Sequence, residues 1–302
     1  MRKAVIGIGS NSVRMLLAEV EGDSGKRLMR DRAATRLFAG LDEQRRLSQS
    51  AMRATAEAAA AMAGHARELG AESVQLFATS ATRDAVNSDA FSALLLQLVG
   101  VPLHICSGDE EAALSFLGAT DGGDCGVIDI GGGSTEVVLG EGEQLRTAFS
   151  CQIGAVRLFR RFPIERHEDM AAVQAEAEAR LRQQIDACGP LRFPAAWRGT
   201  GGTFTTLAAM VKNIPWTMRT DMHGTVLEQR TVADWGRLLA DMPMEQRLRL
   251  PGIQPARADI VVHGICILLA CMECLDIPAV TVSECGNLEG YLKRSCGLRL
   301  LL

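Results

Sequence analysis

Aromatic side chains are scarce: nine Phe, three Trp and one Tyr in 302 residues. With so few rings, no base-stacking surface is obvious. Positive charge is not in excess, with 32 Lys and Arg against 36 Asp and Glu and a net charge of −4. Such a chain is not a general binder of nucleic acids or anionic membranes, and any polyanion must meet a local set of donors. Long apolar runs are missing too. The longest, "IVVHGICILLACMECL", carries His263 and Glu273 and falls short of the roughly 20 residues that span a bilayer. It reads as a buried helix. The N-terminal "MRKAVIGIGSNSVR" reads as strand and turn and has no apolar h-region, so a cytoplasmic location is expected.

Cysteine follows no framework. The nine are an odd number, and Cys271 and Cys274 make one CxxC with no second pair or histidine at ligand spacing. Small core residues in a reducing compartment are the better reading. There is no Ser-His-Asp order, no Walker A sequence and no zinc spacing. His263, inside the apolar helix, reads as a hydrogen-bonded core histidine.

Glycine is plentiful, at 30 residues, and it marks a repeat. "VIGIGSNSVRMLL" (5–17) returns as "VIDIGGGSTEVVL" (127–139), with Gly7 in the first copy where the second has Asp129. Around these phrases the order of elements repeats. Strands are expected at 4–9, at 13–20 and from the turn "EGDSGK" to near Phe38. A long helix follows, with Leu47, Ala51, Ala54, Ala58, Ala61 and Leu69 on one face. Then come a strand at 73–81, a helix, the strand "VPLHIC" and the helix opened by "SGDEEAA". After the glycine-rich break at 120–126 the pattern restarts, with strands at 125–130, 135–139 and 144–150. An amphipathic helix at 165–187 carries Met170, Val173, Ala177, Leu181 and Ile185. The strand before "GTGGT" comes next, then extra helices between about 205 and 275, and finally the strand and loop "AVTVSECGN" before a last helix. One βββαβαβα unit is used twice, giving an α/β fold with lobes at 1–123 and 124–302. The last helix is a candidate to pack back on the first lobe. A ligand cleft between the lobes, closing about a hinge at 120–126, is expected.

Several loops could carry chemistry. "GGGST" (131–135) is the strongest signal, because three glycines after an apolar strand let the backbone approach an anion and aim N–H groups at it. A tight hairpin turn is the plainer alternative. For "GSNS" (9–12) the alternative is likewise a plain turn, which Asn and Ser favour, and for "GTGGT" (199–203) it is an ordinary strand-to-helix turn. Asp129 and Glu136 flank the triple glycine. A buried carboxylate there needs a partner, either a hard cation such as Mg²⁺ or backbone N–H groups. The three acids of "SGDEEAA" suit a helix first turn, or one is a general base on water. Arg14 and Arg83 follow loops at the same sheet edge and suit phosphate, or make surface ion pairs. The arginines of "AVRLFRRF" (155–162) read mostly as a solvated helix face.

Seven stretches then converge: "IGSNSVRML", "ATSATRDA", "SGDEEA", "VIDIGGGSTEVVL", "IGAVRLF", "GTGGTFTTLA" and "PGIQPARADIVVHGICIL". In that order they resemble the exopolyphosphatase and guanosine pentaphosphate phosphatase family, within the actin, sugar kinase and heat-shock-protein ATPase superfamily. The resemblance spans essentially the whole chain, in the family's short two-domain form. It implies two duplicated ribonuclease-H-like (actin-like ATPase) domains, each a mixed five-stranded sheet flanked by helices. It implies hydrolysis of the terminal phosphoanhydride of inorganic polyphosphate, or removal of the 5′ γ-phosphate of guanosine pentaphosphate. Glu111 matches the base that activates water. Asp129 matches a catalytic acid, and with Glu136 a Mg²⁺ ligand. Ser10, Asn11, Ser12, Arg14, Arg83, Gly131, Gly132, Gly133, Ser134 and Gly201 match substrate-binding positions. A monovalent cation is a candidate second cofactor, and a homodimer a candidate assembly.

The chain departs from the family pattern at Gly7, where Asp is usual, and at Leu288, where Arg is frequent. Gly7 motivates a rival reading, a non-catalytic sensor of polyphosphate or nucleotide. It also carries the expectation that Gly7→Asp tightens Mg²⁺ dependence or raises turnover. A nucleotide substrate calls for a stacking ring, with Trp197, Trp216 and Phe204 as candidates. A sugar kinase or ATPase is the most distant reading.

Overall fold

The computed structural model describes residues 1–120, 122–218 and 220–301, the last three by backbone alone. Asp121, in the expected break at 120–126, lies outside them. The chain divides into two compact units, one of residues 1–118 with 287–302 and one of residues 119–286.

The first unit opens with β1 (Arg2–Ile8), β2 (Val13–Glu21) and β3 (Ser24–Ala33). It continues through α1 (Gln49–Glu68), β4 (Ser73–Ala78), α2 (Ser80–Arg83), α3 (Ser88–Val99), β5 (Leu103–Ile105) and α4 (Gly108–Ala119). The second unit repeats the opening meander as β6 (Asp124–Ile130), β7 (Thr135–Glu141) and β8 (Gln144–Cys151). It adds α5 (Ala155–Phe159), α6 (Met170–Cys188), β9 (Trp197–Thr200) and α7 (Gly202–Val211). Next come β10 (Val226–Glu228), α8 (Gln229–Asp241), α9 (Met244–Arg247), α10 (Val261–Cys274) and β11 (Ala279–Val282). The final α11 (Asn287–Cys296) and β12 (Arg299–Leu301) belong to the first unit.

The sheets run β12-β3-β2-β1-β4-β5 and β10-β11-β9-β6-β7-β8. Each contains the expected mixed five strands, three antiparallel and then parallel, extended at one edge by a short sixth strand. The copies match in detail. Each meander has a register shift at the same place, Leu17/Ala18 in one and Leu139/Gly140 in the other. Two glycines are explained by rings on neighbouring strands. Gly126 pairs with Trp197 across β6 and β9, and a Cβ on it would lie 2.4 Å from the indole. Gly7 pairs with Phe77 across β1 and β4 in the same way.

Three expectations are corrected. The third strand ends at Ala33 rather than near Phe38, because Arg36 turns left-handed at φ 50°. The amides of Arg36 and Phe38 then donate to the carbonyls of Asn11 and Ser10. The buried face of α1 is Met52, Thr55, Ala56, Ala59, Met62, Ala63 and Ala66, not the Ala51–Ala61 stripe. In a helix rich in alanine several stripes share helical spacing, and the two methionines decide which one packs. The expected helix at 165–187 starts at Met170, after a 3₁₀ turn over His167–Asp169.

Candidate active site

The two echoed hairpins close with the same bond: Gly9 N–H donates to the Ser12 carbonyl and Gly131 N–H to that of Ser134, each at 3.0 Å. What differs is the row of side chains beside them. Residues directly opposite in a sheet share a face. In the second unit Ser150, Glu136, Asp129 and Thr200 follow one another across β8, β7, β6 and β9. In the first unit the equivalent row is Arg32, Arg14, Gly7 and Phe77, across β3, β2, β1 and β4. The repeat has thus become an acidic row in one unit and a basic row in the other.

In the first unit Ser10, Asn11 and Ser12 are buried. The Ser10 and Ser80 hydroxyls meet at 2.8 Å, which ties the first loop to the start of α2. Arg14 Nη2 donates to Asn287 Oδ1 at 3.0 Å. Arg83, closing α2, sends Nη1 to the Cys106 carbonyl at 2.9 Å and to Glu111 Oε2 at 3.1 Å. Its Nη2 is buried without a hydrogen-bond partner.

The three acids of "SGDEEAA" now separate. Asp109 is exposed. Glu110 is a cap: its Oε2 accepts from Ser107 N–H at 3.0 Å while Ser107 Oγ accepts from Glu110 N–H at 3.1 Å, the capping box that starts α4. Only Glu111 is buried. The Ser107 amide, with smaller help from His104 and Arg294, holds the Glu110 carboxyl below its usual range. A lowered carboxyl pKa stabilises the folded state above the ordinary carboxylate range, and that contribution disappears as pH falls through the folded value. Ser107→Ala is expected to cost about 1 kcal/mol, read as a lower urea midpoint for the first unit.

In the second unit Asp129 and Glu136 are 8% and 1% exposed. Glu136 Oε1 accepts from Ser150 Oγ at 2.7 Å. Gly201 is strained for any other residue, with φ +100° and a hypothetical Cβ 2.8 Å from the Ile130 carbonyl and 3.0 Å from Asp129 Oδ1. The backbone therefore packs directly on the acid. The carbonyl side of the glycine loop is tied down by α5. Ala155 N–H donates to Gly131, and Val156 and Arg157 N–H to Gly132. Gly154 permits this approach, since a Cβ there would lie 2.5 Å from the Gly132 carbonyl. Ser134, at the loop's end, is buried.

Two arginines escaped the sequence reading. Arg157, taken for part of a solvated face, donates Nε to the Gly133 carbonyl at 2.7 Å. Arg257 lies on "GTGGT", where a Cβ on Gly202 would overlap its guanidinium carbon at 1.8 Å. The signals were the bare Gly202 and the placement of Arg157 within "IGAVRLF". Trp197 and Phe204 are corrected as stacking candidates. Both are buried in the second core, Trp197 on Gly126 and Phe204 on Gly199; Trp216 packs partly against the same core. All nine cysteines are thiols, and burial pushes that of Cys271 well up. Among the described residues no helix is long and apolar enough to cross a membrane.

The geometry can be set beside known proteins. Exopolyphosphatase 2 of Mycobacterium tuberculosis is 33% identical, over 96% of this chain and 97% of that protein. The guanosine-5′-triphosphate,3′-diphosphate pyrophosphatase of Vibrio vulnificus is 30% identical over 95% of this chain, which spans 58% of that longer protein. The solved Aquifex aeolicus PPX-GPPA enzyme superposes with a TM-score of 0.80 at 29% identity, over 97% of this chain and 98% of that one. The model of the Ppx/GppA phosphatase family matches residues 17–297, and the chain belongs to that family.

Proposed function

We propose that this chain is an exopolyphosphatase that removes orthophosphate from the end of inorganic polyphosphate. The observation that carries the reading is the Arg83–Glu111 pair, 3.1 Å apart with its carboxylate buried. It couples a carboxylate, fixed in place, to a guanidinium whose Nη2 is buried with no hydrogen-bond partner. Such a donor suits a phosphoryl oxygen, while the carboxylate suits a water.

Glu111 accepts a proton from the attacking water as its oxygen bonds to the terminal phosphorus. The bridging P–O bond breaks, and the chain leaves one phosphate shorter. Phosphoryl transfer asks for positioning and charge neutralisation more than covalent chemistry. Ser10, Asn11, Ser12, Arg14 and Arg83 supply donors from the first unit. The second unit, taken by itself, offers the amides of Gly132 and Gly133 and the Ser134 hydroxyl as donors of the same kind, with close approach allowed at Gly201. Asp129 and Glu136, opposed on one sheet face and buried, are a hard-oxygen pair that fits Mg²⁺. When bound, that ion neutralises charge on the phosphoryl oxygens.

Burial of Trp197 and Phe204 supports polyphosphate over a nucleotide, since neither ring is open to stack on a base. The test is phosphate release from long-chain polyphosphate, guanosine pentaphosphate and ATP, with Mg²⁺ and with a chelator. Rapid Mg²⁺-dependent release from polyphosphate is expected. Asp129→Asn is expected to raise the Mg²⁺ concentration for half-maximal rate by about tenfold or more, the scale of a lost ligand-shell interaction. Release from guanosine pentaphosphate alone, or binding of polyphosphate without turnover, overturns the reading.

A further inference from the structure

The second unit contains a cavity of about 330 Å³, at the lower end of the range for small-molecule pockets, that the proposed hydrolysis does not use. Its apolar wall includes Phe159, Ile164, Ala240, Met242 and Val262, and four polar residues join them: Glu165, Arg247, Asp259 and His263. Arg247 and His263 are only 7% and 2% exposed.

Each has work elsewhere and one atom left over. Arg247 Nη1 donates to the Ala258 carbonyl at 2.8 Å, and Nη2 donates to the carbonyls of Leu239 and Met242. Its Nε–H has no hydrogen-bond partner. His263 Nε2 lies 2.8 Å from the Phe162 carbonyl, so Nε2 carries the proton and Nδ1 is a bare acceptor. Nδ1 too has no partner. Burial, with the nearby charge of Arg247, holds the imidazole below its usual pKa and neutral. Arg247 Nε and His263 Nδ1 thus give the cavity lining an unsatisfied donor and an unsatisfied acceptor, and such buried groups are costly to leave unmade. Asp259 interacts electrostatically with both residues. It balances the guanidinium charge and disfavours an anionic occupant.

We propose that this cavity binds a small neutral ring compound with an amide edge, of the free-nucleobase class. The ring carbonyl accepts from Arg247 Nε–H, and the adjacent ring N–H donates to His263 Nδ1. The ring body lies against Phe159, Met242 and Val262. Phe159, 41% exposed and edge-on to His263 with centroids 5.4 Å apart, forms the solvent-facing side of the cavity. It also closes α5, whose first residues bond the glycine loop. Occupancy at one end of a single short helix is thereby transmitted to the loop at the other.

The test uses the full-length chain with hypoxanthine as probe and naphthalene as a ring of similar size without an amide edge. Calorimetry is expected to give saturable binding at one site for hypoxanthine and none for naphthalene. Ala240→Leu, which fills the cavity, should abolish binding while the circular dichroism spectrum stays that of wild type. His263→Phe, which removes the acceptor, should weaken it at least tenfold. Bound hypoxanthine should slow hydrogen exchange at the amides of Ala155, Val156 and Arg157 several-fold. Because this readout does not involve hydrolysis, it stands or falls apart from the proposed activity. Equal binding of the two probes, no saturable binding at all, or binding undiminished in a folded Ala240→Leu protein overturns the proposal.

Discussion

Glu111→Gln is expected to slow phosphate release from polyphosphate by about 10²- to 10⁴-fold, the usual worth of a positioned general base. The amide matches the carboxylate in size and keeps an oxygen that accepts from Arg83 Nη1, now 3.1 Å away. It cannot take a proton from water. Substrate binding should change little, because the phosphate-facing donors remain, so the loss falls on kcat rather than KM. The variant should melt close to wild type, since the helix start rests on Ser107 and Glu110 rather than on Glu111.

Arg83→Met separates the base from its neighbour. It leaves Glu111 buried without the guanidinium and leaves the Cys106 carbonyl without that donor. Removing one partner of a buried pair costs about 3–5 kcal/mol. With the Arg83 side chain 20% exposed, solvent reduces that figure. A lower melting temperature is expected together with lost activity, whereas Glu111→Gln loses activity alone. If Glu111→Gln hydrolyses polyphosphate at the wild-type rate, Glu111 is a structural acid and the base lies elsewhere.

The features legible in the sequence were those with a local cause. The two hairpins were readable because glycines and hydroxyls interrupt apolar strands at the same spacing. The acidic pair Asp129 and Glu136 was readable because a hairpin of that length brings those positions opposite one another. Features decided by distant partners were not. Nothing near Arg36 says that its backbone will leave the sheet to bond Asn11. Ala51 and Met52 are equally good helix formers, and only packing picks between their stripes. Arg157 was visible as a residue, but its role depends on the Gly133 carbonyl, on another element. Trp197 was read as an available ring because the glycine it covers, Gly126, lies on another strand of the sheet.

Gly7→Asp shows how far a packing fact can reverse a pattern-based expectation. Restoring the family's usual acid was expected to strengthen metal dependence or turnover. A Cβ on Gly7, however, would lie 2.8 Å from Phe77 Cζ and 3.2 Å from Leu288 Cδ2. Phe77 cannot turn aside cheaply. It is fully buried and stacks on Tyr291 with centroids 4.7 Å apart and planes 6° apart. Leu288 is packed in the same core. The two departures from the family pattern are therefore one apolar arrangement: Gly7 makes room for Phe77, and Leu288 packs beside both. Overfilling such a site costs about 1–3 kcal/mol. An aspartate adds the cost of a buried charge, relieved in part by Arg14 across the strand. Burial raises the carboxyl's pKa. The folded state then binds more protons than the unfolded one between the two pKa values, so stability falls as pH rises through that window. Gly7→Ala should lower the melting temperature by the steric part alone, and Gly7→Asp by more, with the gap widening from acid to neutral pH. Neither should hydrolyse polyphosphate faster. Adding Phe77→Leu should recover part of the loss in Gly7→Asp, a favourable coupling between contacting sites. If Gly7→Asp melts with wild type and turns over faster, the ring yields and the first unit can regain its carboxylate.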